Sequence, residues 1–105
     1  MFAIYETKEF QEQTRRWSSE ELERIMKVYL QLRENPYVGK PIRYSFLREK
    51  KIGGKRIYYL IYEKQIIVLL VGASEKKNQQ ERINEITRNL AVFRDEAERL
   101  SKPPA

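Results

Sequence analysis

Two groups of charged residues on either side of a glycine pair are the part of this sequence best suited to chemistry. Leu47-Arg48-Glu49-Lys50-Lys51 precedes Gly53-Gly54, and Lys55-Arg56 follows it. Paired glycines take the positive φ angles of a two-residue turn at little steric cost, so the two groups should meet on neighbouring antiparallel strands. Like charges facing each other there repel unless an anion compensates them. Lys76-Lys77 forms a second basic cluster just past the apolar run Ile66 to Val71. Cations at a strand end and in the loop beyond it are well placed to hold a phosphate. Alternation puts Arg48 and Lys50 on one side of their strand, with Glu49 and Lys51 on the other. In the next strand Arg56, Tyr58, Leu60 and Tyr62 share a side opposite Ile57, Tyr59 and Ile61, and a guanidinium set among apolar rings needs a defined partner. Aromatic rings between cations also suit stacking on unpaired bases, although packing within the sheet is the commoner use of such tyrosines.

Composition narrows the chemistry further. The 105 residues include no histidine and no cysteine, which removes disulfide frameworks, thiolate and imidazole zinc sites, cysteine nucleophiles and serine–histidine dyads. The formal net charge is +6. Between Gly39 and Lys77 ten basic residues stand against three acidic ones, a net +7, so the rest of the chain sums to −1. Positive charge concentrated in this way is the electrostatic footprint of a nucleic-acid site, or else a solubilising surface on a half-buried sheet. The three acids of that region form no close cluster, and Gly53-Gly54 lacks the spacing and following helix of a phosphate-binding loop. No metal or cofactor is therefore expected. The longest apolar run is too short to cross a bilayer, and Met1 to Glu6 lacks a signal-peptide pattern, so a soluble, cytoplasmic protein without a membrane partner is expected.

These residues must be positioned by a small set of elements. Phe2 to Tyr5 reads as a short first strand and Lys8 to Trp17 as a helix. Ser18 and Glu21 have capping-box spacing, and Leu22, Ile25, Met26, Tyr29 and Leu32 recur at helical intervals until Asn35-Pro36, which completes a helical hairpin. Pro36, Gly39 and Pro41 mark a connecting loop. Strands are expected from about Tyr44 to Lys51 and Lys55 to Glu63, then a turn, then Ile66 to Val71 as a central strand buried on both faces. After Gly72 a polar linker should lead into one long helix from about Gln79 to Leu100, with Ile83, Ile86, Leu90, Phe93, Ala97 and Leu100 along one stripe. The expectation is a single α+β domain over residues 1–100, with a frayed tail at 101–105.

This order of features resembles the RelE/ParE superfamily of toxins from prokaryotic toxin–antitoxin systems. The resemblance runs from Phe2 to about Leu90. It is carried by Gly39-Lys40-Pro41-Ile42-Arg43, by Lys55-Arg56-Ile57-Tyr58-Tyr59-Leu60-Ile61-Tyr62, and by Gly72 to Gln80, which is similar to the linker of the HigB and phage-derived branch. The resemblance implies a RelE-like fold, cleavage of messenger RNA on the ribosome or free, and neutralisation by an acidic antitoxin protein in a hetero-oligomer. It places the family's strand arginine on Arg56, the basic residues of the preceding strand on Arg48 and Lys50, with Lys51 as a further candidate, and the basic residues after the last strand on Lys76 and Lys77. Gln79 and Gln80 occupy the region where the RelE branch carries an aromatic residue. Arg43, Lys51, Lys55, Tyr58, Gln79 and Gln80 would then contact the RNA.

Such cleavage needs neither histidine nor metal. RNA cuts itself when a 2′-hydroxyl attacks the adjacent phosphorus, so an enzyme has mainly to align that hydroxyl and stabilise the added negative charge. On this reading Arg56 faces the non-bridging oxygens, Lys76 or Lys77 serves the leaving group, and Lys50 or Glu49 takes the proton. Gyrase inhibition, as associated with the ParE branch, and non-catalytic binding of RNA or a partner are the alternative functions.

Overall fold

The first helix begins where Thr7 closes it from outside. Its hydroxyl accepts from the Phe10 backbone N–H and donates to the Leu70 carbonyl, which caps the helix and ties it to the sheet. The structure, a computed structural model, describes residues 1–102. Its elements run β1 (Ala3–Glu6), α1 (Lys8–Thr14), α2 (Ser19–Glu34), β2 (Lys40–Ile42), β3 (Tyr44–Ile52), β4 (Lys55–Tyr62), β5 (Ile67–Glu75), α3 (Gln79–Arg88) and α4 (Leu90–Ser101), with short 3-10 turns at Pro36–Val38 and Lys76–Asn78. The capping box forms as its spacing predicts. Ser18 Oγ accepts from the Glu21 N–H at 3.1 Å, and Glu21 Oε1 accepts from the Ser18 N–H at 2.9 Å.

The sheet order is β1-β5-β4-β3-β2, antiparallel except that β1 lies parallel to β5. The fold is thus α+β, with β4 and β5 in the middle of a mixed sheet. Gly53 adopts φ +62° at the turn between β3 and β4, and a two-residue turn fixes the register that follows: Lys51 opposite Arg56, Glu49 opposite Tyr58, Arg48 opposite Tyr59. On one face Ile57, Tyr59 and Ile61 pack with Val68, Leu70, Phe10, Ile25 and Leu32 beneath α1 and α2. On the other, Leu47, Tyr58, Leu60, Leu69 and Val71 pack with Ile83, Ile86 and Phe93 of α3 and α4. We call these the hairpin face and the C-terminal face.

Four boundaries depart from the sequence reading, each for a local reason. Alpha-helix α1 ends at Thr14 rather than Trp17, whose N–H bonds the Thr14 carbonyl outside the helix. Ile66 takes φ 59° to close the turn after β4 and is half exposed, so β5 starts one residue later than the apolar run. Gly72 does not end β5, which continues to Glu75. A Cβ there would stand 3.1 Å from Ile86 Cδ1 and 3.2 Å from Gln13 Oε1, so the glycine lets helices approach the strand from both sides. The long C-terminal helix is two helices, broken at Asn89, whose side-chain amide donates to the Glu85 carbonyl in competition with the helical ladder. Ser101 is the last residue of α4 and donates to the Glu98 carbonyl; residues 103–105 of the expected tail lie outside the described residues.

Candidate active site

The pairing of β3 with β4 sets Glu49, Lys51 and Arg56 on the C-terminal face, close to the turn. Arg56 and Glu49 are both buried, at 7% and 5% exposed, and Arg56 Nε lies 3.0 Å from Glu49 Oε1. The contact is off the N–H direction, so Nε is buried without an aligned hydrogen bond. Among the described residues the only bond the guanidinium donates is a long one, from Nη1 to the Gly54 carbonyl at 3.5 Å. A buried arginine is usually saturated by aligned acceptors, and this one is not. Gln79, at the start of α3, donates to both carboxylate oxygens of Glu49 at 3.2 Å and covers the pair from the helix side. Exposed Lys51 stands directly across from Arg56 on β3, and Ser74 directly across from it on β5. The exposed Lys76 and Lys77 follow β5 and border a groove with Gly54, Glu75 and the Lys55–Glu21 pair. Of the expected residues, Glu49, Lys51, Arg56 and Gln79 therefore gather at one end of the sheet, and Lys76 and Lys77 follow β5 at that same end, beside Lys55.

The other expected residues lie elsewhere. Arg48 and Lys50 face the hairpin side, as strand alternation requires, and cannot converge with Arg56 on one phosphate. Arg48 is consumed structurally: it donates to the carbonyls of Ser45, Tyr37 and Gly39 at 2.8, 3.2 and 3.0 Å and lies over the Tyr37 ring. Arg43 reaches α3, bonding Asn84 and Thr87, and latches the β2–β3 corner to that helix. Lys55 pairs with Glu21 at 3.0 Å above the Trp17 ring, on the hairpin side. Gln80 bonds Asn84 along α3. Tyr58 has no exposed surface and its hydroxyl bonds Ser74 at 2.8 Å, so it offers no face to a base. Burial raises its pKa, which keeps the phenol protonated. Register counting from the two-residue turn would have found the Glu49–Arg56 side; sequence gave no signal for Gln79 reaching Glu49, because that contact depends on where α3 docks.

Comparison of the sequence with protein-family models found no match, and comparison with curated proteins found none either. Solved structures do match. The isolated Escherichia coli RelE toxin has a TM-score of 0.65 at 15% identity, covering 82% of this chain and 99% of that one. RelE in the intact E. coli RelBE toxin–antitoxin complex gives 0.65 at 15%, over 71% and 96%. The Mycobacterium tuberculosis toxin–antitoxin complex RelBE2 gives 0.63 at 18%, over 71% and 98%. This chain has the RelE toxin fold. Within that fold the unsaturated Arg56 lies on the C-terminal face of the sheet, and the saturated Arg48 on the hairpin face. Among the described residues no helix is long and apolar enough to cross a membrane, and no group of three or more carboxylates is placed to hold a metal ion.

Proposed function

We propose that the protein is the toxin of a toxin–antitoxin pair and that it cuts messenger RNA, on the ribosome, by 2′-hydroxyl attack at the Arg56 end of the sheet. The observation that carries this reading is the buried Arg56 guanidinium whose Nε has no aligned acceptor, across from Lys51 and at the sheet end that Lys76 and Lys77 follow, on a RelE fold. A phosphate supplies the planar, doubly accepting anion that such a fork lacks. Entry requires half-exposed Gln79 to give way, after which the non-bridging oxygens replace Glu49 on the guanidinium. Of the two candidate bases, Glu49 shares a face with Arg56 and Lys50 does not, so Glu49 is the acceptor of the 2′-hydroxyl proton. The oxygen attacks phosphorus and the bond to the 5′-oxygen breaks. Lys76 or Lys77 protonates that leaving oxygen, and the products are a 2′,3′-cyclic phosphate and a 5′-hydroxyl.

The partner is an acidic protein that folds over the region between Gly39 and Lys77, where the net charge is +7. The test of function is inducible expression followed by primer extension on cellular transcripts. New transcript ends within coding regions are expected; trapped gyrase–DNA breaks without transcript ends would instead assign the fold's other activity.

A further inference from the structure

Beyond the end of β1 the outer edge of β5 is bare of any strand, because β1 pairs only as far as Leu70. The Ala73 N–H bonds Gln13 Oε1 at 2.8 Å and its carbonyl accepts from Arg82 Nε at 2.8 Å. These side chains form the walls of a trough along Ala73 to Glu75, with Arg16 and Trp17 at the end of α1 on one side, Asn78 and Arg82 on the other, and Lys55 at its mouth. The trough shares Lys55 and Glu75 with the groove beside Lys76 and Lys77. Its floor includes Ser74, the residue paired with Arg56 across one strand spacing. The trough is therefore continuous with the groove beside Lys76 and Lys77, and one strand away from Arg56.

We propose that this trough holds a neighbouring nucleotide of the single-stranded RNA cut at Arg56, its base against Trp17 and its phosphate on Arg16 and Lys55. The proposal rests on the RNA-cutting reading and adds a subsite to it. Three observations point to a nucleotide. Both edge groups of Ala73 are already taken by side chains, so an extended peptide cannot add there as a further strand. Trp17 is half-buried, its rim packed against the core and its ring face overlaid by Lys55 Nζ at 5.0 Å from the centroid. Lys55 is held there by one partly exposed pair with Glu21, a weak tether that an incoming base displaces while the ammonium moves to a phosphate. Arg16 is exposed and, among the described residues, makes no ion pair or side-chain hydrogen bond. The subsite thus combines one stacking ring with cations of spare capacity, as single-strand binding requires.

Trp17 is the sole tryptophan of the chain, which makes it a direct reporter. A short 2′-O-methyl oligoribonucleotide, which cannot be attacked, is titrated into the full-length protein while tryptophan fluorescence and the anisotropy of a labelled copy are followed. Saturable quenching that coincides with the anisotropy change is expected. Arg16→Ala should weaken binding about tenfold and lower the salt slope by about one. Trp17→Leu should weaken binding by a similar factor at unchanged slope. If Trp17→Leu does not fold, the surface change Arg16→Ala decides alone. Binding without quenching, with both variants at wild-type affinity, overturns the subsite and leaves Arg56-dependent cutting untouched. No binding by the wild type overturns it as well, as does quenching by poly-glutamate but not by the oligonucleotide, which would assign the trough to an acidic protein.

Discussion

Arg48 and Arg56 stand on adjacent strands of one β-hairpin and face opposite ways. Arg48, half-buried, has three backbone carbonyls and a tyrosine ring around its guanidinium. Arg56 is the more deeply buried, yet it has one off-axis carboxylate contact and one long bond. Burial alone would rank Arg56 as the scaffold residue. The count of aligned acceptors reverses that order: Arg48 binds the Tyr37–Gly39 segment to β3, while Arg56 keeps a buried donor without an aligned acceptor. A guanidinium kept under-satisfied in a buried position costs stability, and such costs are commonly found where binding or chemistry repays them.

The largest effect should come from dismantling the Arg56 side. Arg56→Ala should lower RNA cutting at least 100-fold, the scale for losing a donor to transition-state charge, and should also destabilise the fold by about 3 kcal/mol because Glu49 is left buried without its counter-ion. Arg56→Met combined with Glu49→Gln should restore the melting temperature and leave cutting abolished, as read by thermal unfolding beside a cleavage assay. Recovery of activity along with stability would make Arg56 a scaffold residue like Arg48.

Arg48→Ala should do the converse. Losing three bonds from a charged donor should cost about 2 kcal/mol, on the order of 10 °C in a domain of this size, with the cutting rate of the folded fraction nearly unchanged. A tenfold fall in that rate, with the melting temperature unmoved, would erase the contrast between the two arginines.

Tyr59→Phe should give a smaller change on the Arg48 side. The hydroxyl donates to the Pro36 carbonyl at 2.7 Å and accepts from the Gly39 N–H at 3.0 Å, so its removal should cost about 1–2 kcal/mol. Burial pushes the Tyr59 pKa from 10.0 up to about 12. A folded pKa raised in this way contributes stability that is fully present below the unfolded value and is lost as pH rises through the folded one. The wild type should therefore lose stability between pH 10 and about 12, and the phenylalanine variant should lose less over that window, as measured by denaturant unfolding across pH.

The smallest effect belongs to Glu21→Gln. The Ser18 backbone N–H and Lys55 hold the Glu21 pKa below its usual value, so its contribution is present above the unfolded pKa and fades as pH falls through the folded one. The substitution should barely move the melting temperature at neutral pH and should flatten its decline in acid. It should also release Lys55, which would strengthen oligonucleotide binding at the Trp17 trough.

Much of the hairpin was legible because its information is local. Gly53-Gly54 fixes the turn, and strict alternation from Arg56 to Tyr62 sorts the two faces as the structure has them. The break at Asn89 was not, since Ile83, Ile86, Leu90, Phe93 and Ala97 keep helical spacing straight across it. Gly72 reads as a strand terminator, whereas its role is to admit Ile86 and Gln13 at close range, which only tertiary packing reveals. The same holds at the site. Arg48 and Arg56 look alike in sequence, and what distinguishes them is the carbonyls of a loop eleven and nine residues away and the docking of Gln79 against Glu49.

The central claim, that the Arg56–Glu49 pair and not Arg48 serves the cut, is tested most directly by mapping transcript ends after induction of three proteins: wild type, Arg48→Ala, and Arg56→Met with Glu49→Gln. Wild type and Arg48→Ala should generate the same ends, each a 2′,3′-cyclic phosphate facing a 5′-hydroxyl, and the double variant should generate none although it accumulates as folded protein. Ends that persist in the double variant, or that disappear in a folded Arg48→Ala protein, would contradict the account.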